Sequence, residues 1–127
     1  MFIKGNPALL NEAQIAIVGS RQPTATGKQV AFNFAADLCR LGLTVTSGMA
    51  KGIDGCSHRG ALSVQGNTIA VLGHGFDTVY PAQHKELAAE IACSGALVSE
   101  FLPDVQPKGD HFPLRNRIVA VSYTHLR

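Results

Sequence analysis

Short apolar runs alternate with segments of helical period along this chain. Gln14–Val18 (Gln-Ile-Ala-Ile-Val) is a compact apolar run and reads as a strand buried on both faces. From Gly27 to Leu41, Val30, Phe34, Leu38 and Leu41 recur at helical spacing with Ala31 and Ala35 beside them, which predicts a helix facing the core on that stripe. Gly42 supplies its C-terminal stop. Thr44–Thr46 is a β-branched second strand, and Gly52–Gln65 a second helix ended by Gly66-Asn67. On that helix Ile53, Cys56, Ser57, Gly60, Ala61 and Val64 share one side, small enough to let it lie close to the sheet. Thr68–Leu72 is the third strand and Gly73–Asp77 its loop. Pro81 opens a third helix at its first position, where a missing N–H costs nothing. That helix runs to about Cys93 with Leu87, Ala88 and Ile91 inward, and Gly95 breaks it. Ala96–Ser99 is the fourth strand, Phe101–Leu114 a long loop, and Asn116–Ala120 the start of a last helix.

The alternation of strand and helix predicts an α/β domain: a Rossmann-like, mostly parallel sheet flanked by helices. It occupies 14–120, preceded by a lead-in over 1–13 that carries the turn signal Gly5-Asn6-Pro7. In such sheets ligands bind beyond the carboxyl ends of the strands. Four loops fall on that edge: Gly19–Arg21, Ser47–Gly52, Gly73–Asp77 and Glu100–Arg117. They bring Arg21, Lys51, Lys108, Arg115 and Arg117, set against Asp54, Asp77, Glu100, Asp104 and Asp110.

Composition changes this picture little. The chain has 127 residues, enough for one core, and a formal charge of only +2, so charge placement matters more than net charge. Three scattered cysteines, Cys39, Cys56 and Cys93, suit buried thiols in a reducing compartment. Residues 1–20 lack a signal-peptide pattern, and no apolar run approaches the ~20 residues that cross a bilayer. A soluble cytoplasmic protein without membrane contact is expected.

The candidate chemistry is phosphate binding. Ser47-Gly48-Met49-Ala50-Lys51-Gly52-Ile53-Asp54 joins a strand to a helix, and Gly48 and Gly52 let a ligand approach the backbone. The N–H groups of the next helix and Lys51 would favour an anion there. A tight turn that only needs its glycines explains the stretch equally well. Gly19-Ser20-Arg21 adds backbone N–H groups, a hydroxyl and a guanidinium able to bind phosphate through two parallel bonds. Neither Gly-x-Gly-x-x-Gly nor Gly-x-x-x-x-Gly-Lys-Ser/Thr is present, so no nicotinamide, flavin or P-loop nucleotide cofactor is expected. Phe112-Pro113-Leu114-Arg115-Asn116-Arg117 combines a ring with cations, the mixture a nucleic-acid strand requires. Asp54 is read as accepting backbone N–H bonds, Asp54 and His58 as a local hydrogen-bonded pair, and Tyr80-Pro81 as the start of a helix. His74, His84 and His111 are treated as loop or surface residues. Cys56 and His58 lack a second pair at ligand spacing, so no metal is expected.

Together these residues resemble the DNA-processing protein A family (DprA, also called Smf). The marks are Ile15-Ala16-Ile17-Val18-Gly19-Ser20-Arg21, then Ser47–Asp54, His58-Arg59-Gly60-Ala61-Leu62, Gly73–Pro81, Ser99-Glu100 and Phe112–Ile118, in that order. The resemblance implies a non-enzymatic, cytoplasmic Rossmann-like domain that binds single-stranded DNA without sequence preference. It implies protection of DNA during uptake in natural transformation, roles in recombination, and delivery of the strand to the RecA recombinase. It also implies homodimerisation where the full domain is present. The DNA-facing positions it implies are Gly19, Ser20, Arg21, Ser47, Gly48, Lys51, Gly52, Phe112, Arg115, Asn116 and Arg117, with Lys108 more loosely placed. The match stops near Ala120, short of the second half of the family's domain, and 121–127 is expected to be a non-matching tail. Ser57 stands where the family usually has alanine. The competing reading is a related Rossmann-like enzyme that removes the base from nucleoside monophosphates. Its Pro-Gly-Gly-x-Gly-Thr loop is missing here, with Gly73-His74-Gly75 the nearest approach.

Overall fold

The computed structural model describes residues 1–107. Within them lie five strands and three α-helices: β1 (Phe2–Gly5), β2 (Gln14–Ala16), α1 (Ala25–Arg40), β3 (Thr44–Ser47), α2 (Ile53–Ser63), β4 (Thr68–Leu72), α3 (Lys85–Ser94) and β5 (Ala96–Ser99). The strands form one sheet in the order β1-β5-β4-β3-β2. β2 through β5 run parallel, and β1 pairs antiparallel with β5. The predicted α/β, mostly parallel architecture is what the chain adopts.

Each βαβ step advances one strand in the same direction, so the helices collect on one face. Ala35, Leu38, Val45 and Ala61 cluster between α1, α2 and β3. Leu87, Ala88 and Ile91 of α3 pack on Ala70, Leu72 and Leu97 of the same face. The opposite face presents Ile69, Val71, Ala96 and Val98, with Leu9 against them. Leu9 sits in a 3-10 turn over Pro7–Asn11, whose start the Asn6 side chain caps by accepting the Ala8 N–H at 3.1 Å. Buried Gln14 ties that turn to the sheet: its amide donates to the carbonyls of Leu9 and Leu10, and it accepts from the Thr46 hydroxyl at 2.7 Å.

Four details differ from the sequence reading. The lead-in is not only a turn, because Phe2–Gly5 adds the antiparallel edge strand. Exposed on the edge, that strand carries no buried residue for a pattern to reveal. β2 is shorter than Gln14–Val18 and bonds to one described neighbour, so Ile15 and Ile17 are half-buried and Val18 is exposed. On α1, Val30 and Phe34 face outward, as does Leu41 just past its end, while Ala31, Ala35, Ala36 and Leu38 are buried. The reason is close approach of α2: a Cβ on Gly60 would lie 2.1 Å from the Phe32 carbonyl oxygen. Only small side chains fit that crossing, so the small face of α2 meets α1 as well as the sheet, and the bulky residues of α1 turn away. Finally, Pro81 precedes a 3-10 turn, Ala82–His84, from which α3 continues.

Two helix ends behave as read. α1 closes with the Leu43 N–H on the Leu38 carbonyl and the Gly42 N–H on the Cys39 carbonyl, with Gly42 at φ +88°. α3 ends at Gly95, where a Cβ would meet the Thr68 carbonyl oxygen at 2.0 Å.

Candidate nucleic-acid interface

The carboxyl ends of β2 to β5 deliver their loops to one edge. The Ser47 hydroxyl donates to the Ile17 carbonyl and the Ile17 N–H donates to the Thr46 carbonyl, which locks the first two strand ends together. Beyond β3, Met49 takes a positive φ of 59° and buries its side chain in the α3 cluster. This anchors the Gly48–Gly52 loop from beneath. Asp54, in the first turn of α2, is buried and accepts the N–H groups of Gly48 at 3.1 Å and Ala50 at 3.5 Å. The structural role read for Asp54 holds, with the loop rather than the helix supplying the donors.

That arrangement alters the expected phosphate cradle. The Gly48 and Ala50 N–H groups are taken by Asp54, the Ile53 N–H donates to the Ser20 carbonyl at 3.1 Å, and the Gly55 N–H to the Ala50 carbonyl. A carboxylate also sits behind the loop. Attraction for an anion therefore falls to the side chains of Lys51 and Arg21, both exposed, more than to bare helix amides. Gly52 has a structural reason of its own: at φ +80°, a Cβ there would lie 2.4 Å from the Ser20 carbonyl oxygen. Gly19 likewise makes room for the Ile53 side chain, 2.9 Å from its would-be Cβ. Ser20 Oγ accepts the Gln22 N–H at 3.0 Å and shapes the loop that carries Arg21.

A cavity of about 240 Å³ opens at this edge. Arg21, Gln22, Gly48, Ala50 and Lys51 line it from the first two loops. Gly73, His74, Tyr80 and Pro81 line it from the segment after β4. Of the residues expected to face DNA, the structure brings Arg21, Gly48 and Lys51 together on this wall. Gly19, Ser20 and Gly52 support it from outside the lining, and Ser47 is fully buried with its hydroxyl on Ile17. Lys108, Phe112, Arg115, Asn116 and Arg117 lie outside the described residues, as does the Asn116–Ala120 helix start.

The histidines near the edge are structural, and the surface reading of His74 and His84 gives way to burial. His84 Nδ1 donates to the Met49 carbonyl at 2.8 Å, joining the start of α3 to the loop after β3. Burial pushes its pKa below the ordinary histidine range. The Met49 carbonyl opposes that, and of the nearby charges Arg59 and Lys51 lower it while Asp54 raises it. His74 Nδ1 donates to the Gly75 carbonyl, and the Ser99 hydroxyl to the His74 carbonyl, each at 2.7 Å. His58 is fully buried; because the Thr68 hydroxyl donates to Val45, His58 Nδ1 must donate to Thr68, at 2.7 Å. The Gly73–Tyr80 segment is held from the other side by the Gly75 N–H on Val105 and the Asp77 N–H on Pro103, each at 2.8 Å. Sequence reasoning passed over the lining by Gln22, Ala50, Gly73, His74 and Tyr80-Pro81. The one available signal was that Gly73–Pro81 follows a parallel strand and so falls on the ligand edge.

The chain matches a family model described as DNA recombination-mediator protein A over residues 1–124. It is 43% identical over 121 residues to DNA processing protein DprA of Bacillus subtilis (94% of this chain, 41% of that one). To protein Smf of Escherichia coli it is 46% identical over 121 residues (94% and 32%). The chain thus spans 32% to 41% of the length of these relatives. Its fold superposes on the X-ray structure of DNA processing protein A from Streptococcus pneumoniae with a TM-score of 0.90 at 41% identity, covering 95% of this chain and 42% of that one. A structure of DNA processing protein A from Helicobacter pylori, determined for its single-stranded DNA binding mode, superposes at 0.88 and 32% identity, covering 94% and 55%.

Proposed function

Because this chain belongs to the DNA recombination-mediator protein A family, we propose that it binds single-stranded DNA through the carboxyl edge of its sheet. The observation that carries the reading is the cavity into which two separate loops bring Arg21 and Lys51 beside Gly48. Cations on a groove favour backbone phosphates, contacts that carry no sequence information. The protein acts here as a binding module in DNA uptake and recombination, and not as an enzyme. On this reading the bound strand is passed to the RecA recombinase, and the chain forms a homodimer where the full domain is present. Similarity to a protein studied for single-stranded DNA binding supports DNA over nucleoside monophosphate hydrolysis.

The test is anisotropy of a fluorescent oligo-dT strand with the 127-residue chain at two salt concentrations, with duplex as competitor and circular dichroism as the check of folding. Binding that weakens with salt and resists duplex competition is expected. A folded chain that leaves the strand unbound at low salt, or prefers duplex, overturns the reading.

A further inference from the structure

We infer that a second cavity, between α3 and the edge strand β1, binds a small amphipathic anion: one ring bearing a carboxylate and a hydroxyl. The inference is independent of the single-strand reading and concerns a different part of the molecule. The cavity measures about 210 Å³, and Met49, Leu72, Phe76, Val79 and Leu97 supply its apolar walls. Of the described residues that line it, only His74 also lines the cavity of Arg21 and Lys51.

The sequence explains why the space exists. Lys85, Ala88, Ala89 and Ala92 recur at i, i+3, i+4 and i+7 on α3, so they form one stripe, and all four line the cavity. Past the lysine the stripe carries only methyl groups, too short to fill the gap that larger side chains would close. β1 bounds the space on the other side. Lys4 sits opposite Leu97 in the antiparallel register, which puts both side chains on the face of the sheet that α3 covers. At Gly5 the strand runs so near the end of α3 that a Cβ would lie 3.1 Å from the Ala92 carbonyl oxygen.

Two features give this apolar space a polar requirement. The first is His74, 1% exposed, whose Nε2 has no hydrogen-bond partner. The Gly75 carbonyl can only accept, so Nδ1 carries the proton of the neutral ring and Nε2 is a bare acceptor. A buried acceptor without a donor costs free energy that a bound O–H recovers. The second is the pair of exposed lysines, Lys4 and Lys85, which line the cavity and make no salt bridge among the described residues. No carboxylate lines the cavity among those residues; Glu86 and Glu90 of α3 line a separate groove with Arg59 of α2. An apolar cavity of about 150 Å³ already takes up benzene, so this larger one accommodates a single substituted ring. The hydroxyl serves His74 and the carboxylate the lysines, and a rigid ring loses less freedom on binding than a chain of equal size.

The experiment titrates para-hydroxybenzoate, benzoate and phenol separately into the isotope-labelled 127-residue chain at neutral pH, followed by amide chemical shifts. Saturable shifts are expected at Leu72, His74, Ala88 and Ala92, with the amides of Gly48 and Lys51 unmoved. Para-hydroxybenzoate should bind about 2- to 12-fold tighter than benzoate, the worth of one hydrogen bond. Lys4→Gln and Lys85→Gln, both at exposed positions, should weaken the two carboxylates and leave phenol as it was. Ala92→Leu keeps a good helix former and fills the cavity, so saturable binding should be lost. If that variant does not fold, the lysine variants and the ranking of probes on the parent chain still decide. A folded parent chain with no saturable shift at millimolar probe, or shifts centred on Arg21 and Lys51, overturns the site. Equal affinity for benzoate and para-hydroxybenzoate, or carboxylate binding that ignores both lysines, overturns the ligand class.

Discussion

The carboxylate of Asp54 accepts the backbone N–H of Gly48 at 3.1 Å, so a residue in a helix sets the shape of the loop six positions before it. Asp54→Ala removes that acceptor from the buried Gly48 N–H and from the part-buried Ala50 N–H. The expected loss is about 1–3 kcal/mol of stability, read as a lower urea midpoint. Oligo-dT affinity should fall with it, since the same loop carries Lys51.

Arg21 and Lys51 should each behave as a phosphate contact. Replacing either with alanine is expected to weaken oligo-dT binding at low salt. Each change should flatten the plot of log affinity against log salt by about 0.7. Anisotropy titrations at four salt concentrations check this, and an unchanged slope would remove that residue from the interface.

Two glycine replacements should differ in size for different reasons. At Gly60 a new methyl meets the Phe32 carbonyl oxygen at 2.1 Å, and α1 and α2 must separate. Gly60→Ala is expected to cost about 3 kcal/mol. At Gly42 nothing lies within 4 Å, but the backbone sits at φ +88°. Gly42→Ala should cost about 1–2 kcal/mol from conformational strain alone. Chemical denaturation of the two variants side by side gives the ranking.

His84 makes stability depend on pH. Its folded pKa lies below the unfolded value of about 6.5, so in that window the unfolded chain binds more protons. The stability linked to neutral His84 is complete above about 6.5 and is lost as pH falls through that value toward the folded pKa. Thermal melts from pH 7.5 to 5 should show a decline that is smaller in His84→Gln.

The strands were legible because parallel strands covered by helices are nearly continuous apolar runs bounded by glycine. Thr68–Leu72 and Ala96–Ser99 match residue for residue. The outward turn of Val30 and Phe34 was not legible, since it follows from how closely Gly60 lets α2 approach α1, a contact between residues 28 apart. That Arg21, Gly48 and Lys51 fall on one cavity was legible because their loops follow parallel strands. The burial of Ser47 was not legible beside Gly48, since it depends on its hydroxyl meeting the Ile17 carbonyl of the neighbouring strand end. The lining by Tyr80 was obscured because Pro81 already explained the dipeptide.

The contact of Gly52 with the Ser20 carbonyl has a kinetic side. With no Cβ between them, and with Ile53 donating to the same oxygen, the loops after β2 and β3 are joined into one rim. The backbones that carry Arg21 and Lys51 therefore meet at one shared oxygen. On the proposed function, the residence time of a strand should then follow how fast its phosphates leave the two side chains, more than any swing of one loop away from the other.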